Sequence, residues 1–248
     1  MSTPIVISPS QQRGNKCALG DVEQDHCHKI GQLLLARFIA DDRFNPYLVP
    51  KLTGGTDTDR LISAANMSND HIRANGGKGY TIALHTDGGY AGSGCSAFYY
   101  TEGIPSQWVA EAIHAAISEL TSWSDMRSVA RPELYELNHA IDQAVLVEMS
   151  FHDQMEEAEW IHSNMQMLAD TIYTSVCNSL GLEPIVPEIP EPDPQPVDPE
   201  AWKHTPIDKL AEDGIITDPA GWHKKIDEPM PVWAAMLIVQ RIYEKLKK

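Results

Sequence analysis

The chain has 248 residues and a formal net charge of −16, and 42% of its residues are hydrophobic. This length suits one sizeable core with at most a small appendage, and the composition excludes a fully disordered chain. The negative charge argues against a nucleic-acid partner, and no apolar run approaches the ~18 residues that a membrane span needs, so we expect no membrane partner either.

Apolar runs bounded by turn residues alternate with helical patterns over the first 182 residues. Short apolar runs predict four strands, at residues 4–8, 80–84, 96–100 and 144–147. Amphipathic patterns predict four helices, at residues 22–40, 59–74, 105–120 and 156–180. Strands that alternate with long helices predict an α/β fold, with a mostly parallel, twisted sheet covered by helices on both faces.

A boundary follows this region. Residues 183–200 contain seven prolines and six acidic residues but no basic residue. Proline removes backbone donors and like charges repel, so we expect an extended, semi-rigid linker. The chain then divides into a larger domain at 1–182, the linker, and a small helical C-terminal module at 201–248. The module can form only a marginal core alone, so it either docks on another surface or forms oligomers.

The N-terminus shows neither the basic region nor the apolar region of a secretory signal, so we expect the protein to be made in the cytoplasm without a signal peptide. Four cysteines are scattered along the chain without a Cys-x-x-Cys pair. We expect reduced thiols, with two disulfides as the alternative.

Polar, titratable residues follow the predicted strands. His85 and Asp87 come after one strand, Glu148 comes after another, and Glu23 lies at the start of the first helix. In parallel sheets, sites form at the carboxyl ends of the strands. A carboxylate with one or two imidazoles there suits a divalent metal, zinc above all, and a further carboxylate could take a proton from water.

Structural interpretations compete with this one. A histidine after a strand is often a satisfied structural residue, and Glu23 would also favour the helix dipole. Glu148 is harder to explain structurally, because a carboxylate that follows four apolar residues is expected to be half-buried. His26 lies three residues after Glu23 on the predicted helix and is a rival ligand, although a surface position is expected for it.

Several segments carry a family resemblance in their order and spacing. They are Ile7–Gln12, Glu23, Ile82–Gly89, Ser96–Tyr100, Leu134–Leu137 and Val145–Asp153. Together they resemble the zinc N-acetylmuramoyl-L-alanine amidases of type 3, found among bacterial cell-wall hydrolases and phage endolysins. The resemblance spans almost all of residues 4–182 and implies an α/β sandwich with a six-stranded, largely parallel sheet. It also implies cleavage of the amide between the lactyl group of N-acetylmuramic acid and L-alanine.

Carried over residue by residue, the resemblance implies that Glu23 and His85 bind zinc and that Glu148 is catalytic. The chain departs from the family at the remaining zinc ligand. In the family this ligand is a histidine in the turn after the first strand, and here that turn reads Ser8-Pro-Ser-Gln-Gln12 and contains no histidine. Gln11 stands opposite the missing histidine, with Gln12 beside it as a rival. A Ser-Pro-Ser-x-Gln start resembles a divergent, endolysin-like branch of the family.

We expect His152 to supply the missing imidazole or a contact behind it, although a structural or substrate-contacting role is equally open. Asp87 and Tyr90 are the candidate substrate-binding residues, the tyrosine in a glycine-rich loop.

The sequence thus predicts a zinc hydrolase of bacterial peptidoglycan, a phage or prophage endolysin that reaches the cell wall after release. One alternative is a non-catalytic wall-binding protein on the same fold, which the missing histidine favours. Another is a zinc peptidase that cuts within the stem peptide. The resemblance implies that the domain at 1–182 is catalytic, and the module at 201–248 would then bind the cell wall or form oligomers.

Overall fold

The computed structural model describes residues 2–89, 92–123, 127–185, 201–225 and 232–246. By its internal contacts the chain divides into two compact units, Met1–Pro187 and Glu188–Lys248. The division falls inside the segment expected to be a linker, most of which is outside the described residues. Over the described ranges, none of the helices is both long enough and apolar enough for a membrane span.

The first unit contains a sheet of six strands in the order β2-β1-β3-β6-β4-β5. The strands are β1 Thr3–Pro9, β2 Phe44–Leu48, β3 Tyr80–Asp87, β4 Ser96–Tyr99, β5 Ser128–Ala130 and β6 Gln143–Phe151. The strands β2, β1, β3 and β6 are parallel neighbours, whereas β4 runs antiparallel to β6 and pairs with β5 in parallel. The sheet is therefore mostly parallel, with its reversal at the β6–β4 pair.

Six helices belong to the described part of this unit. They are α1 Glu23–Ile39, α2 Asp57–Ala74, α3 Pro105–Ser118, α4 Tyr135–Asn138, α5 Met155–Ser163 and α6 Met165–Ser179. The largest buried cluster joins one face of the sheet to α1, α3 and α6 through residues such as Ile82, Leu34 and Ile172. Smaller clusters join the other face to α2 and α4. Helices thus cover both faces, which confirms the predicted fold class.

The second unit consists of three described helices, α7 Ala201–Glu212, α8 Pro219–Lys224 and α9 Val232–Leu246. Asp218 begins α8 by accepting a hydrogen bond of 2.9 Å from the backbone N–H of Gly221. Ile215 and Ile216 are buried, and Arg241 of α9 donates a hydrogen bond of 2.7 Å to the carbonyl of Ile215. These helices lie in the range 201–248 of the predicted C-terminal module, whose bounds and role stay predictions.

One expected helix, over residues 156–180, is two helices in the structure. Asn164 ends α5 and begins α6, with φ −122° and ψ 20°, outside the helical range. Its side chain donates a hydrogen bond of 2.8 Å to the carbonyl of Trp160, and its own carbonyl accepts the Leu168 N–H at 2.9 Å. Asparagine competes for backbone partners in this way, so the helix breaks although the apolar pattern runs on.

Candidate active site

The carboxyl ends of the central parallel strands gather the predicted site residues. His85 of β3 and Glu148 of β6 are paired in register on neighbouring strands. Since side chains alternate along a strand, both share the face of Ala83 and Leu146, on which α4 packs. Glu23 approaches the same edge of the sheet from the first turn of α1.

The imidazole of His85 lies between two carboxylates. Its Nδ1 is 2.9 Å from Oε1 of Glu23, and its Nε2 is 2.9 Å from Oε2 of Glu136 in α4. Asn15 donates a further hydrogen bond of 2.6 Å to Oε2 of Glu23. Glu23 and His85 are 1% and 4% exposed. The pair is therefore buried, and both side chains are fixed in orientation.

Glu148 has one carboxylate oxygen without a compensating contact. Its Oε2 is buried and has no hydrogen-bond partner among the described residues. Burial raises the pKa of Glu148 to about 8. The charge of His85 acts against this rise, and the charge of Glu23 adds to it. A buried carboxylate with a raised pKa and an unpaired oxygen is a candidate proton acceptor.

The ion pair between Glu23 and His85 reverses the effect of burial on both groups. Burial alone would raise the pKa of Glu23, but the hydrogen bond and charge of His85 hold it below its usual value. Burial alone would lower the pKa of His85, but the charge and hydrogen bond of Glu136, together with Glu23, raise it well above its usual value. Both shifts are in the direction that a hydrogen-bonded ion pair produces.

The donor set fits a divalent cation. Glu23 and Glu136 contact the imidazole of His85, and Glu148 is its register partner on the next strand. One imidazole can offset at most a single negative charge among these three carboxyl groups. Buried carboxylates that exceed their partners are costly unless a cation or a proton compensates them. Glu136 contacts Nε2 of the imidazole, and Nδ1 is turned to Glu23. A metal-binding histidine commonly has a carboxylate at the ring nitrogen that does not bind the metal.

Neither glutamine of the β1 turn offers a free oxygen to this pair. The Oε1 of Gln11 accepts hydrogen bonds from Gln24 Nε2 and the Leu52 N–H, both at 3.0 Å. Its Nε2 donates to the carbonyl of Pro9 at 3.1 Å. The Oε1 of Gln12 accepts a hydrogen bond of 2.8 Å from Asn15, the residue that also bonds Glu23. Gln12 is thus linked to the pair through Asn15, whereas Gln11 is used structurally.

The structure does not bring His152 into hydrogen-bond contact with Glu23 or His85. The Nδ1 of His152 is 2.9 Å from the carbonyl of Thr86 and 3.0 Å from its hydroxyl. Thr86 follows His85 on β3, and strand alternation directs the two side chains to opposite faces. The role of His152 as third ligand stays a prediction that this geometry does not support.

His26 differs from its expected surface position. It is 0% exposed, and its Nε2 lies 2.7 Å from the hydroxyl of Thr86. The start of α1 faces the end of the sheet rather than solvent, so polar residues on its first turns are buried there.

The structure describes one of the two predicted substrate-binding residues, Asp87. Asp87 lies at the end of β3, half-buried, and accepts a hydrogen bond of 2.8 Å from the Gly88 N–H. Tyr90 lies outside the described residues. The contact of either residue with a substrate stays a prediction.

Sequence reasoning missed Glu136. The residue lies inside the Leu134–Leu137 segment of the resemblance, yet no role was assigned to it, because α4 has only four residues and gives no periodic pattern. A charged residue between Tyr135 and the buried Leu137 was the one local signal of its position.

Comparisons with known proteins show which family the chain matches. Residues 5–178 match the profile of a family described as N-acetylmuramoyl-L-alanine amidase. That match covers well over half of the chain and includes every candidate site residue named above. No curated protein matches the chain.

Solved structures share the fold at low sequence identity. An N-acetylmuramoyl-L-alanine amidase from Clostridium difficile 630 superposes with a TM-score of 0.58 at 19% identity, covering 73% of this chain and 97% of that one. The amidase AmiC2 of Nostoc punctiforme gives 0.58 at 17% identity, over 72% and 97% of the two chains. The catalytic domain of the CD27L endolysin targeting Clostridia Difficile gives 0.58 at 18% identity, also over 72% and 97%. At these identities the likeness shows the fold alone.

Proposed function

Because the chain belongs to the N-acetylmuramoyl-L-alanine amidase family, we propose that it hydrolyses the amide between the lactyl group of N-acetylmuramic acid and L-alanine in peptidoglycan. The proposal includes a zinc ion held by Glu23 and His85 and a catalytic role for Glu148.

One observation carries the proposal. The buried carboxylate of Glu23 and the buried imidazole of His85 lie 2.9 Å apart. On the strand next to His85, the buried Oε2 of Glu148 has no hydrogen-bond partner among the described residues. A structural ion pair would explain Glu23 and His85, but it would leave the desolvated oxygen of Glu148 uncompensated. A hydrolytic site accounts for all three groups.

When bound, zinc would supply Lewis-acid catalysis to amide hydrolysis. Glu136 would keep the Nε2 proton of His85 in place, so that Nδ1 stays a donor atom toward the site. The Oε2 of Glu148 would accept a proton from the attacking water and return it to the nitrogen of the departing L-alanine.

Substitution of Glu148 tests the assignment. We expect E148Q to lower kcat on purified peptidoglycan by about 10²- to 10⁴-fold, because glutamine cannot accept the proton. Mass spectrometry of the wild-type digest should show stem peptides with a free L-alanine amine and glycan with intact muramic acid.

The exposed Glu159 gives a matched control, and E159Q should leave the turnover unchanged. Undiminished turnover by E148Q would refute the catalytic role. Release of single amino acids would favour the peptidase, and wall binding without any product would favour the non-catalytic alternative.

We also propose that the protein is a phage or prophage endolysin that acts on the wall after release from the cell. The sequence resemblance to the endolysin-like branch supports this role. An amidase unit followed by an acidic, proline-rich segment and a separate helical unit is consistent with it.

A further inference from the structure

A second group of metal-binding side chains lies in the first unit, apart from the pair of Glu23 and His85. It consists of Cys17, Asp21, His26 and His162, named here the Cys17 cluster, and its four ligand atoms all lie within 4.8 Å of one another. The Nδ1 of His26 is 3.2 Å from Oδ2 of Asp21, and the Nε2 of His162 is 3.3 Å from Oδ1 of the same carboxylate. The Sγ of Cys17 is 3.9 Å from Nε2 of His162.

The loop between β1 and α1 holds two of these ligands in a fixed arrangement. The N–H of Cys17 donates to the carbonyl of Asp21 at 2.9 Å, and the N–H of Gly20 donates to the carbonyl of Cys17 at 3.0 Å. Gly20 has a φ of +98°, which favours glycine, so the turn depends on it. The N–H of Ala18 donates to the carbonyl of His152 at 2.8 Å and ties the loop to the end of β6. The ligands are therefore preorganised.

Contacts outside the Cys17 cluster leave its ligand atoms available to a common ion. The Nε2 of His26 is engaged by the hydroxyl of Thr86 at 2.7 Å, which leaves Nδ1 for the cluster. Such an outer contact on the second ring nitrogen is typical of metal-binding histidines. Oδ1 of Asp21 is buried and accepts no hydrogen bond among the described residues, although Nε2 of His162 lies 3.3 Å from it. The side chains of Asp21 and His162 are 20% and 25% exposed, which gives an ion a path of entry.

The interatomic distances suit a tetrahedral ion. Zinc bonds of about 2.0 Å to nitrogen or oxygen and about 2.3 Å to sulfur make edges of about 3.3 Å and 3.6 Å. His26 is 3.2 Å from Oδ2 of Asp21 and His162 is 3.3 Å from Oδ1, so whichever oxygen is the ligand gives one edge of this length. The sulfur–nitrogen distance is 3.9 Å, and all four ligand atoms lie within 4.8 Å of one another. A ligand set of one sulfur, two imidazoles and one carboxylate favours zinc over magnesium or calcium, which prefer oxygen ligands.

We infer that Cys17, Asp21, His26 and His162 form a structural zinc site that clips the loop after β1, the start of α1 and the end of α5 together. Four protein ligands leave no open position, which distinguishes it from a catalytic site. The site lies on the Thr86 side of β3, whereas His85 projects to the opposite face. It is thus separate from the proposed catalytic pair.

Cobalt substitution of the full chain tests the inference, because a cysteine ligand gives Co²⁺ a near-ultraviolet thiolate-to-metal charge-transfer band. The proposed catalytic pair contains no sulfur, so the band reports on the Cys17 cluster alone. We expect the band in the wild-type protein and in a variant that carries both E23Q and H85Q. It should be absent from C17S and preserved in C177A, which removes a buried thiol outside the cluster.

Zinc content and melting temperature provide a second measurement. Relative to wild type, C17S and H162N should each lose one equivalent of bound zinc, whereas C177A should lose none. Chelation should lower the Tm of the double variant E23Q/H85Q but leave unchanged the Tm of a triple variant that adds C17S, since the triple variant has neither zinc site. A wild-type cobalt spectrum without the band, or full zinc content in both C17S and H162N, would overturn the inference. Either result would leave the proposed amidase function standing, since that function depends on Glu148.

Discussion

At the scale of single residues, His85 has a carboxylate at each ring nitrogen. Glu23 reaches it from α1 and Glu136 from α4, so two elements of different length fix one ring on β3. A histidine held in this way keeps one tautomer and one orientation. Glu136 is accordingly a positioning residue for the site rather than a group that would touch substrate.

Substitution of Glu136 checks that role. We expect E136Q to weaken zinc binding at the proposed catalytic pair by about 10- to 100-fold, because the neutral amide polarises the imidazole less. Zinc affinity measured by chelator competition should fall while kcat at saturating zinc falls less. The nearby exposed Glu133 gives the control E133Q, with no change in affinity. Equal affinity in E136Q and wild type would contradict the role.

Gln11 is a buried residue whose side-chain amide is fully used in hydrogen bonds. Its amide oxygen accepts two hydrogen bonds and its nitrogen donates to a backbone carbonyl, all in a site that is 2% exposed. We expect Q11H to lower the free energy of unfolding by about 1–3 kcal/mol, because an imidazole cannot satisfy those partners. Urea denaturation measures the change, with the exposed Gln166 mutated to histidine as control. Unchanged stability in Q11H would show that the turn can rearrange around a histidine.

Glu23, His85 and Glu148 were predictable as a group because strand and helix patterns place their positions at one edge of a parallel sheet. The contacts that complete the picture were not predictable. Glu136 lies in a single helical turn, and His162 lies 136 residues after His26 in the chain. Only tertiary packing brings such side chains together. The spacing of Cys17, Asp21 and His26 was a local signal that the sequence did offer.

At the scale of elements, the strands that escaped prediction are the edge strands of the sheet. β2 contains Asn45 and Pro46, which are unfavourable in strands, and it lies at one edge, where a missing N–H is tolerated. β5 has three residues at the other edge. Buried central strands can be predicted because they are continuous apolar runs, a pattern that these edge strands lack.

The turn from α1 to β2 is tied to α6 through Asp41. Its carboxylate accepts hydrogen bonds from Arg43 at 2.7 Å and from the hydroxyl of Tyr173 at 2.8 Å. The hydrogen bond from Arg43 is the main reason that the pKa of Asp41 lies below its usual value of 3.8. This contact therefore joins two helices and an edge strand at a buried charge.

We expect D41N to lower the free energy of unfolding by about 2 kcal/mol at pH 7. Because the folded state lowers the pKa, this contribution is present above the usual value of 3.8 and is lost as the pH falls through the lower, folded-state pKa. Urea denaturation of wild type and D41N across pH 3 to 7 should show the two stabilities converging at the acid end. The exposed neighbour Asp42 supplies the control D42N. A difference that is independent of pH would exclude the charge as the cause.

At the scale of the whole molecule, the candidate site residues named above all lie in the first of the two units. The six-stranded sheet, the Glu23–His85 pair, Glu148 and the Cys17 cluster all belong to the unit Met1–Pro187. The formal charge separates similarly, because residues 1–182 carry 11 basic and 22 acidic side chains, a net of −11. Residues 201–248 carry 8 basic and 7 acidic ones, a net of +1. A nearly neutral second unit is repelled less by an anionic wall polymer than the first.

Truncation after Pro187 distinguishes the two roles open to the second unit. We expect the chain 1–187 to unfold cooperatively and to cleave soluble muramyl peptides with the kcat of the full chain, because every site residue is retained. If the second unit binds wall, turnover on intact sacculi should fall by about tenfold or more, since a second attachment raises the effective concentration of enzyme at its substrate. If it forms oligomers, sedimentation should show a smaller assembly while turnover on both substrates is kept. Loss of cleavage of the soluble substrate would contradict the expectation that the first unit folds and catalyses the reaction without the second.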